Sequence, residues 1–215
     1  MLDYTAKNGH KLRESVFVAN SVVTGVASTA DATAYDATVG LLNLHNTASA
    51  VTEGGTWLVP LYVKLTAAAV NTGADDFRFT INLDNVDKFT SGGSVLTGKS
   101  TASSAVSGYT DRTPKGRVNA GVLVIAAANA AKVVTELVAA PTILAIDDQI
   151  EIWFGEGPAA QDGTTQSRFV HTVPPVWIGP GSSLSFHEWA ANMSADPQFQ
   201  MEVCWVETGL SAFGQ

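Results

Sequence analysis

The chain has 215 residues, 46% of them hydrophobic and 15% charged, with a formal net charge of −8. That length suffices for one substantial β-sandwich, and an acidic balance without a basic patch excludes nucleic acid as a partner. The single cysteine, Cys204, excludes an internal disulfide framework and a cysteine zinc set.

Met1 to Glu14 mixes Asp3, Lys7, His10, Lys11, Arg13 and Glu14 and lacks the apolar core of a signal peptide. No run is long enough to cross a bilayer, and the most apolar one, Val122 to Ala131, is interrupted by Asn129 and followed by Lys132 and Glu136. The expectation is a soluble protein made in a cytoplasm, with no membrane partner. Residues 1–38 hold one short apolar run, Val16 to Ala19, in Ser-, Thr-, Ala- and Asp-rich sequence, and read as an extended N-terminal arm with a short strand. Such a segment buries too little surface alone and orders by lying on a neighbour or partner. Residues 39–215 read as one domain.

From Val39 to His45 a strand is predicted, with Leu42 and Leu44 on one face and Leu41 and Asn43 on the other. The clearest strand follows, where Trp57, Val59, Leu61, Val63 and Leu65 alternate against Pro60, Lys64 and Thr66. Pro60 cannot donate to a ladder, which places that strand at an edge or demands a local bulge. Phe77, Phe79, Ile81 and Leu83 repeat the alternation, and the polar connection through Asn71, Gly73, Asp75 and Asp76 suggests that the two strands form an antiparallel pair. Residues 85–115 turn to Gly, Ser, Thr and Asp and read as a long polar loop.

Residues 118–127 and 132–146 are compatible with two strands joined near Asn129 or, in the Ala-rich middle, with a short helix. The β-branched Val122, Val124, Ile125, Val133, Val134 and Val138 favour strands. Further alternation marks Ile150, Ile152 and Phe154, then Leu184 and Phe186, then Phe199, Met201, Val203 and Trp205. Pro174-Pro175 introduces the short run Val176-Trp177-Ile178, and Gly179-Pro180-Gly181 is a turn. About eight to ten strands with little helix indicate an all-β fold: a two-sheet antiparallel β-sandwich of jelly-roll type.

One string invites a different function. Gly93-Ser94-Val95-Leu96-Thr97-Gly98-Lys99-Ser100 fits the pattern of a phosphate-binding loop, and Ile143 to Asp147 resembles the apolar strand and Asp that would hold magnesium. The chemistry needs a buried parallel strand ending at the first Gly and a helix starting at the Lys. The flanks, Asp87 to Gly92 and a Ser- and Ala-rich stretch after Ser100, predict neither, so no cofactor is expected. His10, His45, His171 and His187 have no metal-ligand spacing, although a sandwich can bring His45 and His187 together. Asp75-Asp76 and Asp147-Asp148 suit turns and lack a fuller calcium set. No nucleophile elbow and no Ser/His/Asp set stands out, and the sequon Asn192-Met193-Ser194 reads as chance. Neither catalytic nor metal-binding residues are therefore assigned. Of the five tryptophans, Trp57 and Trp205 lie on apolar strand faces and read as core. Trp153 and Trp189 share faces with polar neighbours and are the candidates for a subunit interface or a sugar-binding surface.

Phe79 to Gly93, Pro174 to Gly181 and the closing Phe199 to Glu207 together resemble virion structural proteins of tailed bacteriophages. That resemblance implies a non-enzymatic β-sandwich of the phage particle, made in the host cytoplasm. It further implies a capsid decoration or cement protein that binds the major capsid protein lattice as a homotrimer. A carbohydrate-binding sandwich and a tail or baseplate component are the rival readings.

Overall fold

The computed structural model describes residues 16–28, 34–49, 55–73, 76–100, 113–126, 132–140, 144–157 and 168–209. They contain thirteen strands and no helix: β1 (Val16–Asn20), β2 (Val26–Ala27), β3 (Val39–Asn46), β4 (Trp57–Ala69), β5 (Phe77–Asp84), β6 (Phe89–Leu96), β7 (Gly98–Ser100), β8 (Gly116–Ile125), β9 (Lys132–Ala140), β10 (Gln149–Phe154), β11 (Arg168–Val173), β12 (Ser183–Ala190) and β13 (Gln198–Thr208). A seven-stranded sheet runs β11-β10-β4-β13-β1-β7, with β2 also on β13, and a six-stranded sheet runs β6-β8-β3-β12-β5-β9. Every pairing is antiparallel except β10 with β11, which is parallel. This is the all-β sandwich expected.

The inward faces make one core. Leu42, Leu44, Phe77, Phe79, Ile81, Val118, Leu184 and Phe186 from one sheet meet Phe17, Val63, Leu65, Ile150, Ile152, Phe199, Met201 and Trp205 from the other. Trp205 stacks on Phe17 with ring centroids 5.8 Å apart at 20°. The indole needs room, and Gly116 supplies it, since a Cβ there would stand 2.6 Å from Trp205 Cε2 and Nε1. Glu207 completes this corner: Oε1 accepts bonds from Lys115 N (2.6 Å), Gly116 N (2.9 Å) and Trp205 Nε1 (3.2 Å).

Several expectations are corrected. β4 and β5 do not pair, because β4 lies between β10 and β13 and β5 between β12 and β9. Two strands with one apolar face each can bury those faces across the core as well as side by side, and here they do the former. The alternation of β4 also breaks. Cys204 pairs with Tyr62 and Trp205 with Pro60, leaving Leu61 as a bulge. Of the edge or bulge that Pro60 demands, the bulge is present, and it shifts the phase: Leu58 and Pro60 are buried before it and Val63, Leu65 and Ala67 after it, while Trp57, Val59 and Leu61 are only half-buried.

The loop predicted over 85–115 contains β6 and β7, both edge strands. Their Ser- and Gly-rich sequence hides them because the outward positions of an edge strand need no apolar residue. The short strand at Val16–Ala19 exists as β1, but within the sheet, between β13 and β7; residues 1–15 lie outside the described part. Strands are borne out for β8 and β9, and β9 ends at Ala140. Of Val176 to Ile178 only Ile178 bridges, to Leu58. β11, with its mixed Arg-Phe-Val-His-Thr-Val sequence, carries no alternation to reveal it.

Candidate functional site

Strand register sorts the polar residues on the outer face of the seven-stranded sheet into rows, two of which adjoin at its centre. Trp153 of β10 pairs with Tyr62 of β4, which pairs with Cys204 of β13, and Thr172 of β11 pairs with Trp153. In the next row Glu151, Lys64 and Glu202 stand in register on the same three central strands. Partners across a sheet point to the same side, so an aromatic row lies beside a charged row.

Both rings of the aromatic row are held. Their centroids are 4.8 Å apart at 38°. Trp153 Nε1 donates to Glu151 Oε2 at 3.0 Å, and the Tyr62 hydroxyl donates to Glu202 Oε1 at 2.6 Å. Glu151 is itself gripped by Arg168, through Nε at 2.8 Å and Nη2 at 2.6 Å. Burial pushes the Glu151 carboxyl up, but the bonds from Arg168 and Trp153 and the charges of Arg168 and Lys64 more than offset it, so it sits below its ordinary value. Burial, reinforced by Glu202, pushes the Tyr62 phenol up, which keeps it a hydrogen-bond donor. Burial likewise raises the Cys204 thiol, to about 11, and leaves it a small buried residue.

Trp189 lies on the outer face of the other sheet, so the two candidate tryptophans do not share a surface. Its Nε1 donates to Thr80 Oγ1 at 3.0 Å, and the Arg78 guanidinium covers its ring at 5.2 Å from the centroid. Trp205 is core as expected. Trp57 is half-buried because the Leu61 bulge turns it off the core face, and it packs against Gly179. Trp177, singled out only as part of a short run, is 41% exposed, the most open of the five.

The middle of the six-stranded sheet's outer face is polar and covered. Asn119, Asn43, Ser185 and Asn82 form one cross-strand row, and Arg117, His45, Ser183 and Asp84 the next. Asp87 roofs part of it, accepting from Asn43 Nδ2 (3.3 Å), Phe89 N (3.0 Å) and Arg117 Nη2 (3.0 Å), with His45 Nδ1 at 3.1 Å. Tyr35 roofs another part, taking a 2.7 Å bond from Asn82 Nδ2 and meeting His187 edge-on. The His187 ring joins Ser185 Oγ (2.9 Å) and Val39 O (2.7 Å). This Ser-His contact escaped sequence reasoning, yet both residues are about 1% exposed, so it braces the roof and offers no open nucleophile. His45 and His187 go to separate partners and do not meet.

Lys99 and Ser100 lie in β7, with Lys99 opposite Val18, so no helix begins at the lysine of the phosphate-loop string. Among the described residues no three His, Cys, Asp or Glu are grouped to hold a metal, and no helix is long and apolar enough to cross a membrane. The turn expected at Asp147-Asp148 is present, with Asp147 at φ 70° and Asp148 Oδ2 accepting from Ala145 N at 2.8 Å.

No protein-family model, curated protein or solved structure matches this chain. What the molecule can do therefore rests on its own surfaces. Besides the aromatic row, one other stands out. Among the described residues β6 pairs only with β8; it carries no charged residue and is exposed from Thr90 to Val95. Its Val95 is 62% exposed, and Val122 and Val124 on the adjoining β8 are 45% and 49% exposed.

Proposed function

We propose that this chain is a non-enzymatic structural protein of a tailed-bacteriophage particle, a capsid decoration or cement protein that binds the major capsid protein lattice as a homotrimer. The observation that carries the reading is the β6 edge. Edge strands of free-standing sandwiches are normally defended by charge, proline or short length. β6 is eight residues long and has no charge, and its own Val95 and the neighbouring Val122 and Val124 of β8 are exposed. Its register shifts at Phe89/Ser91 and Gly92/Ser94 are its one defence. Gly92 and Gly93, at φ 92° and 59°, make the second shift possible. Such an edge suits a protein that spends its working life against other chains. The resemblance of Phe79–Gly93, Pro174–Gly181 and Phe199–Glu207 to virion proteins supports the choice of the phage capsid as that partner.

The test is rebinding. Added to particles stripped of decoration, the purified protein is expected to bind in stoichiometric amount and to raise the particle melting temperature. Failure to bind any capsid lattice overturns the proposal, and binding confined to tails or baseplates reassigns the protein to that part of the particle.

A further inference from the structure

The aromatic row on the opposite side of the sandwich has no role in the β6 edge. We propose that it is a saccharide-binding site, in which the Tyr62 and Trp153 rings receive the apolar face of an uncharged pyranose while Lys64 and Glu202 bond its hydroxyls. Four observations converge on that ligand class.

First, the two rings are partners on adjacent strands, β4 and β10, and both remain partly open to solvent on the outer face. A pyranose ring presents a face of C–H groups, and a flat aromatic surface is its natural complement. Second, the rings are fixed before any ligand arrives, by the Trp153–Glu151 and Tyr62–Glu202 hydrogen bonds and by their mutual contact at 4.8 Å. A platform that loses no rotamer freedom on binding retains more of its contact energy as affinity. Unlike Trp189, whose face Arg78 occupies, Trp153 has no cation lying over its ring among the described residues.

Third, the neighbouring row offers both kinds of hydrogen-bonding group at strand spacing. Lys64 donates and Glu202 accepts, and they are direct cross-strand partners. Sugar hydroxyls both donate and accept, so adjacent ammonium and carboxylate groups suit a vicinal pair. The charges of the cluster balance, Glu151 and Glu202 against Lys64 and Arg168, so the site favours neither an acidic nor a basic ligand. Fourth, among the described residues glycine at position 157 keeps a side chain off the indole. Gly157 passes so close that a Cβ there would stand 2.9 Å from Thr172 Oγ1 and 3.0 Å from Trp153 Cβ. Glycine at that place lets the turn after β10 pass beside the indole without a side chain lying on it.

The experiment uses the full chain on an array of neutral oligosaccharides built from hexoses and N-acetylhexosamines, with acidic glycans alongside. The best neutral hit is then titrated while tryptophan fluorescence is followed. Binding of a neutral saccharide is expected, weakened at least about tenfold by Trp153→Ala, the loss of one stacking surface. Lys64→Met is the second variant, because it leaves both rings in place. It too is expected to weaken binding, with an unchanged melting temperature. Trp189→Ala, on the other sheet, is expected to bind as the parent does. Failure to bind any neutral saccharide overturns the proposal, as does capture of acidic glycans alone or undiminished binding by both Trp153→Ala and Lys64→Met. These outcomes are independent of capsid rebinding, which reads the β6 edge.

Discussion

Single side chains set the pH response of this protein. Glu188 points from β12 into the space between the sheets, where it is 3% exposed and takes one hydrogen bond, from Ser28 Oγ at 3.2 Å. Burial pushes its carboxyl well above the ordinary 4.5. A raised folded-state value means that the native state binds the extra proton, so the contribution is full below 4.5 and is lost as pH rises through the folded value. Glu188→Gln is therefore expected to be more stable than the parent at neutral pH and to flatten this decline, as urea unfolding across pH would record. Burial has the opposite consequence for His187, holding it below its ordinary 6.5. Its contribution is present above that value and is lost as pH falls through the folded one, so the parent is expected to lose stability on acidification below about 6.5. Glu207 works through hydrogen bonds: Glu207→Ala strands three donors at the Trp205 corner and is expected to cost roughly 2 kcal/mol or more. None of these roles was legible in the sequence. Glu188, His187 and Glu207 occupy ordinary strand positions, and only packing decides which carboxylate or imidazole is dry.

At the scale of strands, alternation located most elements, because a half-buried strand writes its two faces into every second residue. It failed in two physical situations. Bulges reset the phase, so the outward placement of Trp57 could not be read from a pattern that runs unbroken through Leu61. Edge strands need no apolar outer face, so β6 and β7 looked like a loop. The same edge makes the prediction at this scale. Val95→Asp with Val122→Asp places charge on an exposed surface and is expected to change unfolding stability by no more than about 0.5 kcal/mol. Binding to a capsid lattice is expected to fall by at least about tenfold, since a charge buried at an interface without a partner is costly. Gly116→Ala is the converse case, overpacking the Trp205 ring for about 1–3 kcal/mol with no direct effect on either proposed surface.

For the whole molecule, light scattering over a concentration series tests assembly: three times the chain mass is expected if the trimer forms before it meets the lattice. The sequence by itself determined the all-β class, most strand positions, the core roles of Phe77, Phe79, Ile81 and Trp205, and the bulge or edge demanded by Pro60. It also argued correctly that the Gly93–Ser100 string lacks a helix at its lysine. These are local properties, fixed by the period of the side chains and by the chemistry of single residues. Tertiary structure alone decided which strands pair, since the alternation of β4 and β5 is satisfied equally by pairing or by facing one another across the core. It therefore also decided that Trp153 meets Tyr62, 91 positions earlier in the chain, while Trp189 lies under Arg78 on the opposite sheet. A surface assembled from distant strands has no signature in any one of them, because register is set by the burial of the other face.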